Sequence, residues 1–142
     1  MFLIHPIWQF AGMLTIIYVW MLGLSRFRSQ HLKIRTRFNW KRHVRLGLLG
    51  TMIWSAGICG GLYVVQSSWH GILITGTHGK TGILLIPFIL FAICSGIYMD
   101  RKKKKRKILP LIHGISNTVM LLLALSQIYS GIMVYREYVL GV

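Results

Sequence analysis

Four apolar runs, each long enough to cross a bilayer as a helix, constrain this chain more than any other feature. Roughly 30 Å of hydrocarbon takes about 20 helical residues, and the runs lie near residues 2–24, 44–65, 79–99 and 108–135. They leave only short connections in a chain of 142 residues. With 54% hydrophobic and 13% charged residues and a mean hydropathy of +0.59, there is too little polar surface to keep a water-soluble domain dispersed. The expected fold is all-α, one integral membrane four-helix bundle over residues 1–142. The first run lacks a basic leader and a small-residue cleavage site, so it reads as a retained helix rather than a signal peptide.

Charge orients the bundle. Seventeen Lys and Arg face two acidic residues, Asp100 and Glu137, for a net charge of +15. By number alone that suggests nucleic acid, but a nucleic-acid binder does not carry long uncharged apolar runs. Arg26, Arg28, Lys33, Arg35, Arg37, Lys41, Arg42 and Arg45 lie between the first and second runs or just inside the second. Arg101–Lys107 is seven consecutive cations between the third and fourth. Fifteen of the seventeen cations therefore fall on two connections that a four-crossing chain puts on one side, leaving Lys80 and Arg136 for the other. The positive-inside rule places both basic loops in the cytoplasm and both termini on the outer, periplasmic side. The run Arg101–Lys107 reads as a topology signal beside anionic lipid, worth ~1 kcal/mol per cation, or as a dock for an acidic partner.

Four of the six histidines sit near the start of a crossing: His5, His43, His78 and His113. An ionisable residue inside a membrane helix is costly and usually functional. Successive helices run in opposite directions, so His5 and His78 lie toward the outer face and His43 and His113 toward the inner face. First and third helices are diagonal partners in a four-helix bundle, as are second and fourth, which predicts two His–His pairs, one above the other. Each histidine has a glycine 18 residues later: Gly23, Gly61, Gly96 and Gly131. Eighteen residues make five helical turns, so each glycine faces the same way as its histidine. It is expected to clear a surface for a flat macrocycle held by the other diagonal pair. His43, His78 and His113 also recur every 35 residues, as in a repeated helix-plus-connection unit.

Other chemistries find no residues. Zinc sites gather four Cys, His or carboxylate ligands at one point, whereas these histidines fall into pairs on opposite faces. Carboxylates for acid–base catalysis are nearly absent, and no Gly-rich phosphate loop or Ser/His/Asp set is present. Cys59 and Cys94 differ in depth by roughly 20 Å at the helical rise, beyond disulfide reach, and read as packing residues. C-x-x-C-H is missing, so haem would be non-covalent. The pattern points to two bis-histidine b-type haems, with a haem-free accessory subunit of a membrane complex or a His-lined proton path as the competitors. His31 reads as a loop residue. His70, in Trp69-His70-Gly71, is an alternative to His78 as the outer ligand, although Gly96 follows His78 at the shared spacing. Lys41, Arg42 and Arg45 on the inner side and Lys80 on the outer side are placed for haem propionates. Gln9 and Asn117, one turn after His5 and His113, point along the ligand faces.

The elements His5-Pro6, Lys41-Arg42-His43, Thr77-His78-Gly79 and His113-Gly114 resemble the cytochrome b-561 type of membrane protein, in particular its small bacterial members. The resemblance covers nearly the whole chain and rests on histidine placement and topology. It implies a four-helix core with two b haems and transmembrane electron transfer, from a reductant such as ascorbate or quinol, or a protein partner, toward an outer acceptor. Short loops without a catalytic domain suit a carrier, or a redox subunit of a larger oxidoreductase, in a bacterial inner membrane.

Overall fold

The computed structural model describes residues 2–142. Four long helices follow one another: α1 (Ile4–His31), α2 (Trp40–Trp69), α3 (Thr77–Arg101) and α4 (Ile108–Tyr135), the last continued by a π-helical turn, Arg136–Leu140. All four are long and apolar enough to cross a membrane, and no strand occurs among the described residues. The expected all-α four-helix architecture is the observed one.

Three of the helices outrun the apolar runs that announce them. α1 continues seven residues past Leu24, through Arg26 and Arg28 to His31. Arginine is a good helix former, and its aliphatic stem lies along apolar surface while its head stays in water, so the helix need not stop where the hydrocarbon does. α2 begins at Trp40 because the Asn39 side chain accepts the Arg42 amide at 3.2 Å, capping an otherwise orphaned donor. It ends at His70, in the left-handed region at φ 55°, whose amide bonds Gln66 O at 3.1 Å. Gly76, at φ 57°, then turns the chain into α3.

Each helix packs against its sequence neighbours, α1 also packs against α4, and the backbones of α1/α3 and α2/α4 stay apart. The bundle is thus a square of alternating directions whose diagonals are those expected. The closest packing is within the hairpins α1–α2 and α3–α4. Both basic connections, residues 32–39 and 102–107, lie at one end, hereafter the basic end. The α2–α3 connection and the π-helical turn lie at the far end.

Mid-height, Met13, Ile16, Trp54, Leu85, Ile89 and Met120 form a dry core. Gly12 and Gly50 let α1 and α2 approach: a Cβ on Gly12 would lie 2.5 Å from Trp54 Cδ1, and one on Gly50 2.7 Å from Ile16 Cδ1. Hydroxyls within the bundle bond their own helix, as Thr51 Oγ1 does to Gly47 O at 2.9 Å, which hydrocarbon surroundings demand. The outer surface is apolar, with Leu14, Met52, Tyr63, Leu90, Leu122 and Tyr129 exposed, as suits a lipid environment. Cys59 and Cys94 are free and sit on this exposed surface. Each lies on its helix's outward face, so any packing role is outside the core.

Candidate functional site

The four helix-start histidines meet in two pairs across the diagonals. His5 on α1 faces His78 on α3 at the far end, with ring centres 6.3 Å apart and ring planes at 86°. His43 on α2 faces His113 on α4 at the basic end, with centres again 6.3 Å apart and planes at 67°. An imidazole nitrogen lies ~1.15 Å from its ring centre and ~2.0 Å from a metal it binds, so two trans rings sharing one metal have centres ~6.3 Å apart. Both pairs have the spacing for one metal between them. Among the described residues, no group of three or more His, Cys, Asp or Glu converges. Each site therefore offers two protein ligands and no more, too few for a four-ligand zinc site.

Each ring has its Nδ1 engaged, leaving Nε2 as the free nitrogen. His5 Nδ1 lies 2.9 Å from Gly57 O and His43 Nδ1 3.1 Å from Val19 O. A carbonyl only accepts, so Nδ1 carries the proton and Nε2 the lone pair. His78 Nδ1 lies 3.1 Å from Ser130 Oγ, and His113 Nδ1 2.7 Å from Ser95 Oγ. Each serine donates its one proton to its own helix, Ser95 to Phe91 O at 2.5 Å and Ser130 to Ser126 O at 3.3 Å. With that proton on the helix carbonyl, each serine oxygen is free to accept from its ring, which corresponds to the same tautomer. A hydrogen-bond acceptor on Nδ1 is the usual way a metal-binding imidazole is oriented.

The spaced glycines have a role the sequence did not suggest. Each receives the ring of the histidine on its hairpin partner. A Cβ on Gly61 would lie 2.7 Å from His5 Cε1, on Gly23 3.2 Å from His43 Cε1, on Gly131 3.1 Å from His78 Cε1, and on Gly96 3.7 Å from His113 Cε1. Gly23, Gly61, Gly96 and Gly131 thus clear space for an imidazole at their own depth. At the far end Gly61 and Gly131 also line the cavity around His5 and His78, so there the ring and the open space share the cleared surface.

A cavity of about 620 Å³ surrounds the far-end pair, lined by His5, His78, Trp69, Leu85, Gln127 and Val139 among others. Gln127 Nε2 is buried without a hydrogen-bond partner. Gln9 lines the same cavity and packs on Gly57, whose Cβ would lie 2.6 Å from Gln9 Cδ. Asn117 Nδ2 bonds His113 O at 2.7 Å, an ordinary intrahelical contact. Phe38, from the α1–α2 connection, covers His43 with ring centres 5.4 Å apart.

The expected cations are less involved. Lys41, Arg42 and Arg45 line a crevice with Tyr18 and Asn39, of which His43 is not part. Arg42 Nη1 donates to Tyr18 Oη at 3.0 Å. Lys80 is exposed at the far end. His70 is the exposed C-cap of α2 and His31 stacks on Phe27 at 5.0 Å, so it is His78 that faces His5.

Sequence reasoning missed the Nδ1 acceptors. The carbonyls of Val19 and Gly57 carry no residue signature. The serines do: Ser95-Gly96 and Ser130-Gly131 place a hydroxyl beside two of the four spaced glycines. Compared with family models, curated proteins and solved structures, the chain matches none of them.

Proposed function

We propose that this chain carries electrons across a membrane through two non-covalent b haems, one between His5 and His78 and one between His43 and His113. Two isolated imidazole pairs, each 6.3 Å between ring centres and each with Nδ1 committed, carry the reading. Bound between such pairs, haem supplies one-electron exchange between ferric and ferrous iron. Were haem held by the Nε2 atoms of both histidines of a pair, the iron would have no position open for oxygen or a substrate. That favours a carrier, or the cytochrome subunit of a larger membrane oxidoreductase, over a stand-alone enzyme.

The chain's own residues supply the rest. The far-end cavity of about 620 Å³ falls within the range of cofactor pockets, and the orphaned Gln127 amide on its wall suits a site that takes a ligand. Eighteen residues of helix separate the two levels, about 27 Å at the helical rise, most of the hydrocarbon thickness. The apolar core of Met13, Trp54, Ile89 and Met120 fills the region between them. With the basic end cytoplasmic by the positive-inside rule, the pairs lie near opposite membrane faces. Lys41, Arg45 and Lys80 remain candidates for anionic groups at the two edges, by charge alone.

The test is a dithionite-reduced minus oxidised spectrum of the detergent-purified chain, with pyridine haemochrome quantitation. Two low-spin b haems per polypeptide are expected. A folded preparation from haem-replete cells with no haem would overturn the proposal and leave an accessory subunit whose histidines hold helices together.

A further inference from the structure

The four histidines are held in two chemically different ways, and the division follows the hairpins. In α1–α2 each Nδ1 bonds directly to the carbonyl four residues before the glycine its ring packs on: Gly57 before Gly61, Val19 before Gly23. In α3–α4 the corresponding carbonyls are Gln127 and Ala92, but the ring bonds instead to a serine whose hydroxyl turns back to its own helix, nearest Ser126 O (3.3 Å) for Ser130 and Phe91 O (2.5 Å) for Ser95. Ser130 Oγ lies 3.1 Å from His78 Nδ1 and 3.4 Å from Gln127 O. Ser95 Oγ lies 2.7 Å from His113 Nδ1 and 3.4 Å from Ala92 O. Every diagonal pair therefore joins one imidazole tied to rigid backbone with one tied to a side-chain hydroxyl.

We propose that Ser95 and Ser130 are positioning residues that set the orientation and basicity of His113 and His78, and so poise the two redox sites individually; this rests on the di-haem reading above. An acceptor on Nδ1–H pushes electron density toward Nε2, which stabilises ferric over ferrous iron at a ligated metal. A hydroxyl already donating to a carbonyl is polarised and accepts more strongly. The shorter contact, at Ser95, has the larger influence. The backbone-held rings on α1 and α2 have no side chain that substitution could remove, so the serines are the points at which sequence tunes each site separately.

The experiment is a spectroscopic redox titration of the full-length chain and of Ser95→Ala, Ser95→Thr and Ser130→Ala, with signals assigned to each end by His43→Ala and His5→Ala. Ser95→Ala is expected to raise the reduced-to-oxidised ratio of the basic-end site about five-fold at fixed ambient potential. That is about 40 mV upward at 59 mV per tenfold for a one-electron couple, with the far-end site unchanged. Ser130→Ala should move the far-end site alone and by less. Ser95→Thr, which keeps the hydroxyl, should stay near the parent. Two haems with unshifted potentials in Ser95→Ala, a shift at both ends, or a basic-end haem lost equally from Ser95→Ala and Ser95→Thr would overturn the proposal. A parent chain without b haem would instead overturn the di-haem reading, and this proposal with it.

Discussion

Replacing Gly61 with alanine tests the histidine–glycine packing most sharply. The added Cβ would sit 2.7 Å from His5 Cε1 and 3.0 Å from His5 Nδ1, whereas non-bonded carbons rest at about 3.5 Å or more. The ring must withdraw from α2 by about 0.8 Å to restore that separation. Its Nδ1 acceptor, Gly57 O, is also on α2 at 2.9 Å, so withdrawal stretches that hydrogen bond past its useful range. Overpacking costs about 1–3 kcal/mol and the strained hydrogen bond about 1 kcal/mol more. Even 2 kcal/mol at the site lowers occupancy of the far-end pair about thirty-fold at limiting ligand. The four glycines form an internal series. Gly131→Ala and Gly23→Ala, at 3.1 and 3.2 Å from their rings, should give intermediate losses at the far and basic ends respectively, and Gly96→Ala, at 3.7 Å, almost none. Haem content per polypeptide and melting temperature in detergent read both parts. Equal effects across the series, or Gly96→Ala worse than Gly61→Ala, would refute the packing argument.

Gly12→Ala should destabilise the bundle by about 1–3 kcal/mol, since its Cβ would lie 2.5 Å from Trp54 Cδ1 and 2.9 Å from Ile53 Cγ2. Gly60→Ala, with nothing within 4 Å, should stabilise α2 by up to about 1 kcal/mol; thermal melts of the two variants check the contrast. An alkaline phosphatase fused after Val142 should be active and one inserted in Arg101–Lys107 inactive, with a fluorescent protein giving the opposite pattern; the reverse result would invert the assigned sidedness. On the di-haem proposal, both ferric sites should give strongly anisotropic low-spin electron paramagnetic resonance signals, because steeply crossed imidazole planes would leave two iron d orbitals nearly degenerate. The far-end signal, from planes at 86° rather than 67°, should be the more anisotropic.

Much of the fold was legible because membrane helices announce themselves by length and polarity, and few square arrangements suit four of them. The diagonal histidine pairs followed from alternating direction alone. Helix ends were less legible: hydropathy stops at Leu24, but α1 runs on to His31, since interfacial arginines favour helix as much as the residues before them. That Lys41 and Arg45 line a crevice apart from His43 was hidden for a related reason. Sequence proximity to His43 says nothing of helix face, and two residues away along a helix is nearly the opposite side. The Nδ1 acceptors were hidden because two are backbone carbonyls. The other two are serines whose meaning appears only once the neighbouring glycine is known to face a ring.

The repeated offset of 18 has a geometric origin that makes it weaker as a count and stronger as a constraint. In an antiparallel hairpin, if His5 meets Gly61 and Gly23 meets His43, the step from histidine to glycine along α1 must equal that along α2. The two offsets are one fact. The same holds for His78 with Gly131 and His113 with Gly96 in α3–α4. The hairpins then share their offset because each supplies one ring to each level: His5 must reach the height of His78, and His43 that of His113. Four coincidences reduce to one requirement, a fixed distance between two imidazole pairs near opposite ends of the bundle. Histidines serving only to hold neighbouring helices would need matching within a hairpin but no common offset between hairpins. The shared offset is what two imidazole pairs at set depths demand, as the di-haem proposal requires, and what contacts within a hairpin alone leave free.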